Sequence, residues 1–364
     1  MNISINHLMK FYFSEQRRIY AHRLGRTSRR VLSVALFSQG NVMIFERGTF
    51  SAAFFCELDQ RSAFSNIANY EINVLIKSRL AISFRCFQES KMTIALHRFC
   101  VNRKIAPGLD IPSFFKLVNR LGLTKVELRN DMPGGKVTDA LSHQQVRDLA
   151  ERYGLEIVTI NAVYPFNRPT SAVCSLTESL LKEAQAVGAG ALVLCPLNDG
   201  TVIDNEKTMT ALQTLSPLFE RYGIQGLVEP LGFPQSSLRS AALAQTLIRD
   251  AGVPFKLLID TFHHALYPAA ASEFDGVDIN MIGLVHLSGV EATGPIDALT
   301  DEERIMLTPG DRLDTLGQIA ALESRGYQGV YAFEPFSSEL ASWQEADIEQ
   351  ALRSSIERVQ QHVA

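Results

Sequence analysis
The 364-residue chain reads as an α/β protein that closes as a (β/α)8 barrel, and three observations carry that expectation. From Met92 onward, short apolar runs alternate with amphipathic stretches. The runs lack period-two alternation, as parallel strands buried on both faces do. Glycines stand just past the helical stretches at Gly122, Gly154, Gly188, Gly223, Gly252 and Gly326, where a left-handed cap ends a helix. Eight strand units within residues 92–364 fit such a barrel, which takes about 250 residues. A doubly wound open sheet is the alternative, but no GxGxxG or Walker pattern follows an early strand, so its usual phosphate-binding turn is missing.

The elements follow in order. TIALH (93–97) leads to a helix over 111–121, KVELR (125–129) to one over 142–153, and EIVTINAV (156–163) to one over 175–187. ALVLCPL (191–197) precedes a helix over 206–222, and IQGLVEPL (224–231) one over 238–250. KLLIDTF (256–262) and IGLVHL (282–287) come next, then a helix over 314–325. GVYAFEPF (329–336) is the eighth strand, with a last helix over 345–362.

Strands five to eight each close on a ligand-type side chain: Glu229, Asp260, His286 and Glu334. A polar group ending a buried strand is costly without a partner. In a closed parallel barrel the C-terminal strand ends face one mouth, where active sites are built. Taken singly, each carboxylate suits a salt bridge and the histidine a satisfied core position. Together they form a hard, oxygen-rich set for one divalent metal ion, with Mn2+ the best fit and Co2+, Mg2+ or Zn2+ open. Such an ion chelates a carbonyl and its neighbouring hydroxyl and acidifies the adjacent C–H, which a carboxylate then removes. That is isomerase or epimerase chemistry through an enediolate.

Other candidates are weaker. Arg129 ends strand two, suited to a substrate hydroxyl or to a salt bridge with Glu127 or a mouth acid. Asn161 ends strand three, able to bind a polyol or cap a loop. Arg304 in DEER is either a residue of a lid over the mouth or part of a solvated helix face, the acids around it favouring the latter. Cys195 reads as a small buried thiol.

These settings resemble the xylose-isomerase-like TIM barrel superfamily of sugar isomerases and epimerases, and within it the inosose isomerases of inositol catabolism. The similarity spans Ile94 to Glu339 and rests on TINAVYPFNR, VEPLGFPQSS, LLIDTFHHAL, LTDEER followed by TPGDR, and FEPFSSE. It implies Glu229, Asp260, His286 and Glu334 as metal ligands and Glu229 and Glu334 as catalytic acid and base. It also implies His263 and Gln235 as substrate contacts. The reaction implied interconverts 2-keto-myo-inositol and 1-keto-D-chiro-inositol. A ketose 3-epimerase and a hydroxypyruvate-type isomerase are alternatives on the same barrel. Leu287, Ser288 and Gly289 after the metal-type histidine, and Arg312 in the PGDR turn, depart from the pattern. An apurinic endonuclease shares the barrel, but needs more histidines for its metal cluster and a basic groove.

Charge divides the chain. Residues 1–91 hold 13 Lys/Arg against 6 Asp/Glu and no proline, whereas the rest holds 22 against 33 and all 14 prolines. The basic quarter suits a transit peptide, an accessory domain that contacts a polyanion, or translated upstream DNA before a true start at Met92. The last is adopted: 1–91 as a poorly ordered, non-native extension and 92–364 as the barrel. Overall the net charge is −4, which excludes general attraction to nucleic acid or anionic membrane. No apolar run approaches the roughly 18 residues of a membrane span. Five cysteines without a CxxC spacing suit reduced thiols in the cytoplasm. The expected partner is a small polyol-ketone or ketose, with a homo-oligomer possible on this reading.

Overall fold
The structure, a computed structural model, describes residues 93–363; the expectations for residues 1–91 lie outside them. Eight parallel strands close a barrel in sequence order, with β8 pairing back to β1. They are β1 (Phe99–Asn102), β2 (Lys125–Arg129), β3 (Glu156–Val163), β4 (Ala191–Leu194), β5 (Gln225–Val228), β6 (Lys256–Asp260), β7 (Ile282–Leu287) and β8 (Val330–Phe333). The first strand differs from the expectation. TIALH is not a strand: Leu96–Arg98 form a 3-10 turn in which Leu96 is exposed, and the buried FCVN segment supplies the ladder.

The helices are α1 (Ile111–Arg120), α2 (His143–Tyr153), α3 (Ser171–Val187), α4 (Asn205–Tyr222), α5 (Ala241–Asp250), α6 (Thr261–Leu266), α7 (Ala270–Gly276), α8 (Thr315–Ser324) and α9 (Glu345–Val363). Side-chain oxygens of Asp110, Ser142, Thr170 and Ser240 cap α1, α2, α3 and α5, satisfying amides that have no partner within the helix. Thr170 explains why α3 begins before the expected position. The short helices α6 and α7, absent from the sequence reading, follow β6 directly. All six cap glycines adopt positive φ. No helix among the described residues is long and apolar enough to cross a membrane, and Cys100, Cys174 and Cys195 are free thiols.

Two apolar layers position the mouth. Outward strand residues such as Val126, Ile160, Leu257 and Val285 pack with the helices in one large core. Inside the barrel, Cys100, Val193, Leu227, Leu258, Leu284 and Ala332 form a second, small-volume layer. Side chains two residues apart share a strand face. The positions two beyond that inner layer are therefore Asn102, Cys195, Glu229, Asp260, His286 and Glu334, which form the next layer up.

At the N-terminal end of the barrel, Arg98 forks onto Glu323 at 2.9 and 2.7 Å and donates to the carbonyls of Gly329 and Tyr327. Tyr331 donates to the same carboxylate. This cluster ties the start of β1 to α8 and β8.

Candidate metal centre
The four expected residues converge. Asp260 and His286 are directly paired across β6 and β7. The amide of Glu229, just past β5, donates to Leu194, and that of Glu334, just past β8, to Leu287, which extends the ladder by one residue on each strand. All four side chains are buried, and one ligand-type atom from each lies within 4.8 Å of the others.

Two guanidiniums face the carboxylates. Arg304 is 1% exposed. Its Nη2 bonds Asp260 Oδ2 and lies 2.9 Å from Glu334 Oε2, while Nη1 reaches Asp301 at 3.1 Å. Arg129 bonds Glu334 Oε1 at 2.5 Å and forks onto Asp131, not onto Glu127. Phe336 lies beneath both cations, 4.4 Å from Arg304 and 4.8 Å from Arg129, a favourable cation–π geometry.

The field separates the acids. Burial alone would raise the Glu334 carboxyl, but His286, Arg129 and Arg304 hold it well below the usual range. Burial pushes Asp260 up to about 7; Arg304 opposes this, and the neighbouring Glu334 and Glu229 reinforce it. Burial would lower the His286 imidazole, yet Glu127 and Glu334 raise it well above its ordinary value. Surplus buried negative charge of this kind is what a cation would neutralise.

The donor set also fits a metal geometrically. The Nε2 of His286 is engaged by Glu127, at 3.0 and 3.1 Å from its two oxygens. Nδ1 faces Glu334 Oε2 at 2.8 Å and Glu229 Oε1 at 3.7 Å but makes no hydrogen bond. A buried ring nitrogen without a hydrogen bond, facing the Glu334 and Glu229 carboxylates in a cluster that also holds Asp260, suits a divalent ion.

The family pattern for xylose isomerase-like TIM barrels matches residues 115–361. The chain belongs to that family. Among solved structures, a xylose isomerase domain containing protein from Salmonella typhimurium is 63% identical, with 73% of this chain and 98% of that chain covered at TM-score 0.72. The IOLI protein with a binding zinc atom superposes at TM-score 0.65 with 20% identity, over 73% of this chain and 99% of that one. A 3-keto-D-glucoside 4-epimerase from E. coli does so at TM-score 0.53 and 14% identity, over 72% and 99%. The last two likenesses show the fold. No curated protein matches the chain.

In this xylose isomerase-like barrel the mouth opens into a cavity of about 230 Å3. Of the residues singled out from sequence, Glu229, Glu334, Arg129, Asn161, His263 and Arg304 line it. His263 is buried against Phe233 and Phe262 with Nδ1 unpartnered. Its imidazole is held well below its ordinary pKa by burial and by Arg304, so a neutral ring faces the cavity. Asn161 donates to Thr159 and Glu127.

Two expectations change. Gln235 is exposed and does not line the cavity; its carbonyl instead accepts from Gly200. Arg304 is not on a solvated helix face but wholly inside the site. Cys195, half-buried at the cavity wall, donates to Glu229 Oε2 at 3.2 Å; burial and Glu229 push its thiol pKa well up. The sequence reading did not single out Asn130, Asp131, Tyr164, Asn198, Phe233 and Phe336, all on the cavity wall. Loop positions carry no periodic signal that could have found them.

Proposed function
We propose that the protein is a metal-dependent isomerase that interconverts 2-keto-myo-inositol and 1-keto-D-chiro-inositol, with Glu229, Asp260, His286 and Glu334 holding one divalent cation. The observation that carries the proposal is the unequal setting of two carboxylates facing one small cavity. Glu334 is clamped by Arg129, Arg304 and His286. Glu229 carries no guanidinium among the described residues, only the Cys195 thiol at 3.2 Å and His286 at 3.7 Å.

When bound, the cation polarises the ketone and the adjacent hydroxyl. Glu229, the carboxylate that no guanidinium engages, removes the proton from the carbinol carbon beside the carbonyl, giving an enediolate. A proton then returns to the former carbonyl carbon while the hydroxyl proton passes from the first oxygen to the second, so the ketone shifts by one carbon. Glu334 stays ionised beside the two arginines and orients the substrate's oxygens with them. The neutral His263 ring offers a hydrogen bond to a hydroxyl. Phe233, Leu231 and Phe336 cover apolar ring faces and limit water.

Support comes from the LTDEER segment, which places Arg304 between Asp260 and Glu334, and from the zinc atom bound by the similarly folded IOLI protein. Manganese is the preferred ion, and a cytoplasmic setting fits the free thiols. The test is incubation of Mn2+-loaded protein with 2-keto-myo-inositol in D2O, followed by NMR. Formation of the 1-keto isomer with deuterium at the new carbinol carbon is expected. Absence of turnover and exchange, with a free ketose epimerised under the same conditions, would replace this reading with a 3-epimerase.

A further inference from the structure
Glu127 takes no part in the reaction described above, yet its side chain is wholly buried. A carboxylate so enclosed is costly unless its oxygens are satisfied. Both oxygens lie at hydrogen-bond distance from His286 Nε2, at 3.1 and 3.0 Å. Asn102 and Asn161 also donate to Oε2, the latter at 3.3 Å. Glu127 stands on β2 and His286 on β7, strands that are not neighbours in the barrel, so the bond crosses the barrel interior. Asn102 also donates to Glu334 Oε1 at 3.1 Å, which links Glu127 to a second member of the cluster.

A coordinating histidine needs one ring nitrogen free for the ion and the other anchored, and a carboxylate is a common anchor. We propose that Glu127 is a positioning residue. By accepting the Nε2–H it turns Nδ1 of His286 towards Glu229 and Glu334 and so sets the affinity of the site for a divalent ion. The inference rests on the metal reading of the four residues and not on the identity of the substrate.

The test compares Mn2+ binding by the full-length wild-type protein, E127M and E127Q, using competition with a fluorescent chelator. Methionine keeps the bulk and removes the acceptor, so E127M is expected to bind Mn2+ about 10–100-fold more weakly. E127Q keeps an oxygen that can accept the Nε2–H and should recover much of that loss, which a simple packing role would not produce. E127M binding within about threefold of wild type would overturn the proposal, because that lies below the range such anchors produce. A second readout covers failure of E127M to fold. In Zn2+-loaded wild-type protein, long-range 1H–15N spectra should show His286 protonated at Nε2; protonation at Nδ1 would overturn the proposal. Wild-type protein that binds no divalent ion would overturn both this inference and the metal reading, whereas unchanged binding by E127M would overturn this inference alone.

Discussion

Replacing Arg304 with methionine would remove the cation that now holds two candidate ligands while keeping a long side chain over Phe262 and Phe336. The guanidinium bonds Asp260 and lies 2.9 Å from Glu334. The side chains of all three residues are no more than 3% exposed. Removing one partner of so buried a pair costs about 3–5 kcal/mol, because the remaining charge is left uncompensated. At the roughly 2–4 °C in Tm per kcal/mol of domains of about 150–250 residues, R304M should unfold roughly 6–20 °C lower in the presence of a chelator. With saturating Mn2+ the ion supplies the missing charge. Only the bonds to Ser288, Asp301 and the Glu334 carbonyl are then lost, at about 1 kcal/mol each or less. Thermal unfolding with and without Mn2+ is the assay, and the ion should raise Tm more in R304M than in wild type. Equal losses in both conditions would refute the idea that Arg304 and the ion neutralise the same carboxylates.

Three further outcomes are expected. Glu323→Ala strips Arg98 of its fork at the far end of the barrel and should cost about 2–3 kcal/mol in denaturant unfolding; a change in Mn2+ affinity would contradict the separation of the two ends. Gly232→Ala places a methyl against the backbone carbonyl of His263, so it should destabilise by about 1–3 kcal/mol and reduce turnover by moving His263. A stability change within about 0.5 kcal/mol, the range of an ordinary surface substitution, would show that the loop yields freely. A chain starting at Met92 should fold and keep wild-type Mn2+ affinity and turnover; loss of soluble protein would show that residues 1–91 are needed.

What the sequence disclosed follows from cost. Glu229, Asp260, His286 and Glu334 were legible because each ends an apolar run where an unpartnered polar group is expensive, and barrel closure then brings such ends together. In the sequence Glu127 figures only as a salt-bridge partner for Arg129, because nothing in KVELR signals a bond to His286 five strands later in the chain; in the barrel its side chain crosses the interior to that imidazole instead. For Arg304 the sequence leaves a place over the mouth and a solvated face open, and the three acids before it point to the wrong one. In the structure Glu303 is spent on a capping box with Thr300, and Glu302 on Ser338. Asp301 remains beside Arg304 as its chain turns inward. The first strand was placed too early because TIALH is apolar in composition, and only the pairing of FCVN with β8 and β2 fixes the ladder. Gln235 was carried by resemblance alone, and nothing in its local sequence states which way a GFPQSS loop faces.

The central claim is that one divalent ion sits among Glu229, Asp260, His286 and Glu334. Anomalous X-ray scattering from crystals grown with Mn2+ tests it most directly. A single strong peak bounded by those four side chains, with His286 contributing Nδ1, is predicted. A peak elsewhere, or none at that point in Mn2+-saturated crystals, would contradict the account.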